Sequence, residues 1–188
     1  MIELHMLFSN FGGSSKRSTP GLITTAMFSV FLFYGCDVDD TSADKVKANE
    51  TRSSVSRETE LASFRQAIRA KYDMKEQAFR DNDPEPILTR FYSKDVISTD
   101  PDGNTHIGRD ALRPLYNEVI GSFVRVESFN TFVNGDAGWD WVNFHVSFPP
   151  GADMEPFTFK MLFLWERIDG EWWSHGEMYV PGEFDILE

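Results

Sequence analysis

The chain has 188 residues with a hydrophobic share of 41% and 17 phenylalanines. That is ample for one ordinary domain with additional segments, and it excludes global disorder. The formal net charge of -12, with no cluster of Lys and Arg to displace counterions from phosphates, argues against nucleic acid as a partner. One cysteine, Cys36, rules out an intrachain disulfide framework and any cysteine-rich zinc site.

Residues 1–20 are polar and rich in Gly and Ser, with Lys16 and Arg17 as a basic pair. An uncharged run from Gly21 to Gly35 follows and ends directly at Cys36. A basic lead, an apolar stretch of roughly 7–15 residues and a small residue before the break are the parts of a secretory signal. The apolar core Leu22–Tyr34 is shorter than the about 20 residues of a bilayer span. With its cysteine placed after Gly35, the segment resembles a bacterial lipoprotein signal, although Phe33 stands where Leu is usual. The resemblance implies a signal over 1–36, lipidation of Cys36, and a protein held by an N-terminal lipid anchor on the periplasmic side of the envelope. A cleaved ordinary signal and an uncleaved anchor are the alternatives. Residues 37–57 are polar, lack aromatics and show no apolar periodicity; they are expected to be a disordered tether ahead of a folded domain over 58–188.

From Glu58 the chain turns amphipathic. Leu61, Phe64, Ile68, Tyr72 and Phe79 fall close to a 3.6-residue period, with Lys75 out of pattern, and predict one long helix ending at Asp81-Asn82-Asp83-Pro84. Asp83 and Pro84 suit the N-cap and first position of a short second helix carrying Ile87, Leu88 and Phe91. The stretch Asp95–Tyr116 then reads strand, Asp100-Pro101-Asp102-Gly103 turn, a brief second strand, and an amphipathic helix through Leu112, Leu115, Tyr116 and Val119. Strand, acid-Pro-x-Gly turn, "IGRDAL" and a helix ending in an aromatic resemble the centre of the nuclear-transport-factor-2-like superfamily, which includes SnoaL-like proteins and ketosteroid isomerase.

Four long strands complete the chain: Ser122–Val133, Gly138–Phe148, and a hairpin of Phe157–Ile168 and Glu171–Val180 across Asp169-Gly170. Phe157–Ile168 is apolar on both faces, so its sheet must be covered on both, and three helices cover only one. A second copy of the chain is expected on the other face. The order α-α-β-β-α-β-β-β-β and the resemblance together imply an α+β cone: a curved mixed sheet wrapped around a long N-terminal helix, with a pocket for a small apolar molecule at its open end. Phe64, Ile68, Tyr72, Tyr116, Trp141, Trp165 and His175 are the candidate pocket residues.

The resemblance to ketosteroid isomerase implies that Asp100, in the turn, is the general base, since a carboxylate there moves a proton between carbons when the enolate is stabilised. That family supplies the stabilisation with a tyrosine on the first helix and a protonated acid on a late strand. Here those positions fall near Lys75 or Glu76 and at about Leu164. His106 and His145 are further acid–base candidates, because histidine titrates near neutrality. Periodicity places His145 with Trp139, Trp141 and Asn143, and His175 with Trp173, Glu177 and Tyr179. The histidine spacing matches no metal motif, and no glycine-rich phosphate loop or dinucleotide fingerprint is present, so no metal and no cofactor are expected. Three functions stay open: a binding protein for a small molecule, an isomerase, dehydratase or hydrolase, and an interaction module whose pocket is filled by its own aromatics.

Overall fold

A long helix, α1 (Thr41–Arg80), is the spine of the domain. The computed structural model describes residues 41–185, with side chains from 54; the expected signal, Cys36 and the first residues of the expected tether lie outside them. The helix starts at Thr41, well before the expected Glu58, taking in a polar stretch that carries no apolar stripe but contains little to stop a helix. Its packed half buries Phe64, Ile68, Tyr72, Lys75, Ala78 and Phe79, spaced three or four residues apart on one face. Lys75 therefore belongs to the stripe. The helix ends with Asn82 in the left-handed region at φ 58°. The Asn82 and Asp83 amides donate to the Phe79 and Ala78 carbonyls at 3.2 and 3.0 Å, a Schellman closure with asparagine in the usual glycine place.

The expected short second helix is a single π-helical turn, Ile87–Phe91, whose apolar residues are buried. Next come β1 (Tyr92–Thr99), β2 (Thr105–Ile107), α2 (Arg109–Val119), β3 (Phe123–Asn134), β4 (Ala137–Ser147), β5 (Phe157–Ile168) and β6 (Glu171–Pro181). The six strands form one sheet in the order β2-β1-β6-β5-β4-β3, parallel between β1 and β6 and antiparallel elsewhere. The expected α+β architecture holds: a mixed six-stranded sheet with the N-terminal helix on one face. Phe159, Met161, Phe163 and Trp165 of β5 point to that inner face, where Tyr72 packs on Phe163 and Trp165. Gly138 on β4 lies so close to α1 that an added Cβ would sit 2.8 Å from the Phe64 ring, so the helix and sheet can meet there only over glycine.

Register shifts between strands set which side chains enter the interior, two of them on β3 and β6. In β3 the register slips between Ser128 and Asn130. In β6, Leu164 and Trp165 of β5 oppose Gly176 and Ser174, which leaves His175 as the extra residue. A one-residue insertion reverses the alternation beyond it. His175 and Trp173 therefore face outward while Glu177 and Tyr179 face inward, correcting the expectation that all four share one face.

Candidate functional site

Asp140 on β4, Phe163 on β5 and Glu177 on β6 are register partners across three adjacent strands, all on the inner face. Each carboxylate meets a different residue of α1, and the two α1 residues are about one helical turn apart: Tyr72 reaches Asp140, and Lys75 approaches Glu177.

The Glu177 centre is a closed polar network in an aromatic interior. Lys75 is 1% exposed and Glu177 6%; Tyr92, Ser98 and Tyr116 are buried with them. The Lys75 ammonium donates to Tyr92 Oη at 2.8 Å. Tyr92 donates to Glu177 Oε2 at 2.7 Å, and Ser98 donates to Oε1 at 2.8 Å. Tyr116 Oη lies 2.5 Å from Tyr92 Oη. A phenol has one proton to give. With Tyr92 donating to the carboxylate, its oxygen accepts from both Lys75 and Tyr116. Lys75 Nζ is 3.9 Å from Glu177 Oε2, so the phenol stands between ammonium and carboxylate. The remaining Lys75 N–H groups meet ring faces: Phe91, Phe163, Tyr116 and Phe144 have centroids 4.3, 5.0, 5.4 and 5.4 Å away, within cation–π range.

These surroundings shift the ionisable groups in the expected directions. Burial lowers the Lys75 pKa to about 8, against the opposing pull of the Glu177 charge. Burial first and the Glu177 charge second push the Tyr92 and Tyr116 phenols well above their ordinary value. Tyr179, mostly buried, is also raised, by burial and then by the charges of Glu177, Asp100 and Asp102. Phe159 packs on its ring at 5.0 Å between centroids.

The Asp140 centre is of another kind. Its carboxylate accepts from Tyr72 at 2.9 Å, Ser128 at 2.6 Å and Thr131 at 2.8 Å. Ser128 and Thr131 flank the β3 bulge, so this carboxylate ties the bulge to α1. Burial raises its pKa in spite of the three hydroxyl donors.

The residues expected to form one pocket are divided between the two sheet faces. Phe64, Ile68, Tyr72, Tyr116 and Trp165 are packed inside. Trp141 lies outside against Phe184, at 5.8 Å between ring centroids. His175 lies outside near Ser93, Glu166 and Asp95. His145 shares that outer side, opposite in alternation to Phe144, whose ring packs on Phe79 of α1; its ring nitrogens face Thr158 and Glu127 at 3.0 and 3.3 Å. Asp100 holds the turn. Its Oδ1 accepts the Asp102 and Asn104 amides at 3.0 and 2.8 Å, its Oδ2 accepts the Asn104 side chain at 2.9 Å, and His106 Nε2 stands 4.0 Å away. Asp100 and His106 thus meet on the β1–β2 hairpin, apart from His145.

Lys75, Tyr92, Ser98 and Glu177 are the residues that sequence reading did not assemble. Lys75 carried a signal, as the one charge inside an apolar helical stripe. Glu177 carried none, because only the bulge at His175 turns it inward.

Two cavities open elsewhere. One of about 700 Å³ lies at the outer face over Phe132, Trp139, Leu164 and His175. One of about 410 Å³ lies beside α1, lined by Glu60, Phe64, Val133, Arg167 and Trp172. Neither includes a member of the Glu177 network. Among the described residues no cluster of His, Cys, Asp and Glu could hold a metal, and no helix is long and apolar enough to cross a membrane.

A curved mixed six-stranded sheet with an N-terminal helix on one face is the fold that ketosteroid isomerase-like and nuclear-transport-factor-2-like solved structures share with this chain. A SnoaL-like domain model matches residues 73–175, and the chain belongs to that family. Similar solved structures include a protein of unknown function from Mycobacterium tuberculosis, with TM-score 0.59 and 18% identity over 68% of this chain and 76% of that one. A ketosteroid isomerase-like protein from Erwinia carotovora atroseptica has TM-score 0.53 and 18% identity over 66% of this chain and 98% of its own. An NTF2-like protein of unknown function from Pseudomonas putida KT2440 has TM-score 0.53 and 18% identity over 68% and 89%. At these identities the likeness is one of fold. No curated protein matches the sequence.

Proposed function

We propose that the domain binds a small, mainly apolar molecule inside its cone, with the Lys75–Tyr92–Tyr116–Glu177 network as the polar centre that recognises it. The carrying observation is a lysine and a glutamate buried together among aromatic rings and bridged by a phenol. An apolar filling of the same volume is often at least as stable as a buried ion pair. A buried titratable pair held apart by a phenol is a candidate for function. Phe91, Phe144 and Phe163 would hold the apolar body of the molecule, and Lys75, together with the Tyr116 hydroxyl once its proton turns from Tyr92 to the ligand, would bind its oxygen. An isomerase-like activity is the catalytic form of this reading. Glu177 would take the proton from carbon in the role that the family resemblance gives Asp100, and the phenols and Lys75 would hold the enolate oxygen.

Native mass spectrometry of the full chain purified from its host tests this. The expected result is a co-purified small molecule that is lost from Tyr116→Phe and Glu177→Gln. The same bound mass in both variants overturns the reading, as does a ligand-free wild type that takes up no small apolar compound.

A second reading concerns the outer sheet face, where Leu164 is 46% and Met178 49% exposed beside Ile97, Phe132 and Val180. Contiguous apolar surface on a sheet marks an interaction site, and we assign it to a second copy of the chain. Light scattering should give a dimer that Leu164→Glu converts to monomer; a wild-type monomer at micromolar concentration would contradict it. Tethering through Cys36 belongs to the same proposal, and labelled palmitate that is incorporated by the wild type but not by Cys36→Ser is its expected signature.

A further inference from the structure

Resting on the proposed interior site, we infer that Lys75 is a carbonyl-trapping amine: it forms an imine with a small uncharged aldehyde or ketone, while Tyr92, Tyr116 and Glu177 move the protons. A lysine serving only as a buried counter-ion sits directly on its carboxylate. Lys75 does not; its ammonium meets the Tyr92 oxygen at 2.8 Å and stands 3.9 Å from Glu177. That spacing forms a relay. A proton passing from Nζ to Tyr92 Oη, with the Tyr92 proton passing on to Glu177 Oε2, leaves a neutral amine, an intact phenol and a neutral acid. In an interior of low dielectric, exchange of an ion pair for a neutral pair is cheap. The ring faces around Nζ leave the amine few competing acceptors, and a desolvated lysine in an apolar pocket is the usual way to make this side chain nucleophilic.

The chemistry balances without an outside reagent. The free amine attacks the carbonyl carbon, a C–N bond forms, and the carbonyl pair moves to oxygen. A proton leaves nitrogen through Tyr92, and the oxygen is protonated from the Tyr116 side of the network. Glu177 then returns its proton through Tyr92 to the hydroxyl, which departs as water as C=N forms. The product is an iminium cation facing the Glu177 carboxylate, with the same net charge as the starting ion pair. Because the site's charge is already balanced and its walls are aromatic, the substrate class is a compact neutral carbonyl compound.

The test uses the full chain with cyclohexanone and cyanoborohydride, which reduces an iminium to a stable secondary amine, followed by peptide mapping. Lys94, exposed on β1, is the internal reference. At pH 7 Lys75 should be labelled about tenfold or more over Lys94, because burial lowers the Lys75 pKa to about 8 and leaves an appreciable part of it unprotonated. Its labelling should level off above pH 8. Labelling of Lys75 no greater than that of Lys94 overturns the inference. Saturation-transfer NMR on the same sample separates the two readings. Cyclohexanone bound without label on Lys75 refutes the imine and leaves the binding site standing. Neither binding nor label, with cyclohexanone and with smaller ketones, sinks both.

Discussion

Asp140 and Glu177 are two carboxylates buried under one helix, on strands either side of β5, and they are solvated in opposite ways. Asp140 is held by three hydroxyls that keep their own protons and serve a mechanical purpose, pinning the β3 bulge to Tyr72. Glu177 faces a phenol that itself accepts from an ammonium, so protons can be redistributed along it without breaking the fold. Burial alone therefore does not mark an acid as functional. The nature of its donors does: three hydroxyls that converge on one carboxylate make a brace, and a phenol that accepts from an ammonium while donating to the carboxylate makes a relay.

The largest expected effect is on the brace. Asp140→Ala takes the acceptor from the buried Tyr72 hydroxyl and from the Ser128 and Thr131 hydroxyls nearer the surface, and should cost about 3–4 kcal/mol in urea denaturation, while leaving Lys75 chemistry unchanged. A loss of under about 1 kcal/mol would show that the bulge does not depend on it.

The second effect separates the centres by pH. The Lys75 pKa is lowered to about 8. Below that pH both the folded and unfolded chains are protonated there, and the fold bears the full cost of a buried ammonium. Between pH 8 and 10 the unfolded chain binds the extra proton, so this group makes stability rise with pH, by at most about 3 kcal/mol. Above pH 10 the raised tyrosine values act the other way, because the unfolded chain then loses phenol protons that the fold retains. Denaturation midpoints at pH 7, 8, 9 and 10 should therefore climb for the wild type and flatten for Lys75→Met. Parallel curves for the two proteins would remove Lys75 as the source.

Glu177→Gln comes third, with a stability loss below that of an ordinary broken buried pair, because Lys75 can shed its proton when the partner charge is gone. Its sharper readout is Lys75 itself. Glu177 is the charge that opposes burial, so NMR titration of the lysine should move further below 8 in the variant. The smallest effect is expected at Asp100. Asp100→Asn keeps a side-chain acceptor for the turn amides and should shift stability by no more than about 0.5 kcal/mol. A large change in ligand binding from this substitution would move the chemistry back to the hairpin.

Much of the fold was legible in the sequence because it rests on short-range rules. The apolar spacing of Phe64, Ile68, Tyr72 and Phe79 gives the helix. The Asp169-Gly170 pair, with both residues at positive φ, gives the last hairpin. Asp100 at the head of Asp-Pro-Asp-Gly gives a turn that its own carboxylate organises. The alternation of Phe157 to Trp165 gives an inner face. The candidate site was legible only as an anomaly, one lysine in an apolar stripe. Everything that gives that lysine meaning depends on strand register. The slip at His175 sends that histidine outward and Glu177 inward, and the parallel pairing of β1 with β6 lays Ser98 opposite Glu177. A bulge has no reliable local signature, since it is chosen by the fit of whole strands against a curved neighbour. The sequence by itself thus determined the helix, the hairpins and the two-sided sheet. Tertiary structure alone decided which acid met Lys75, because one residue of register exchanges the two faces of a strand.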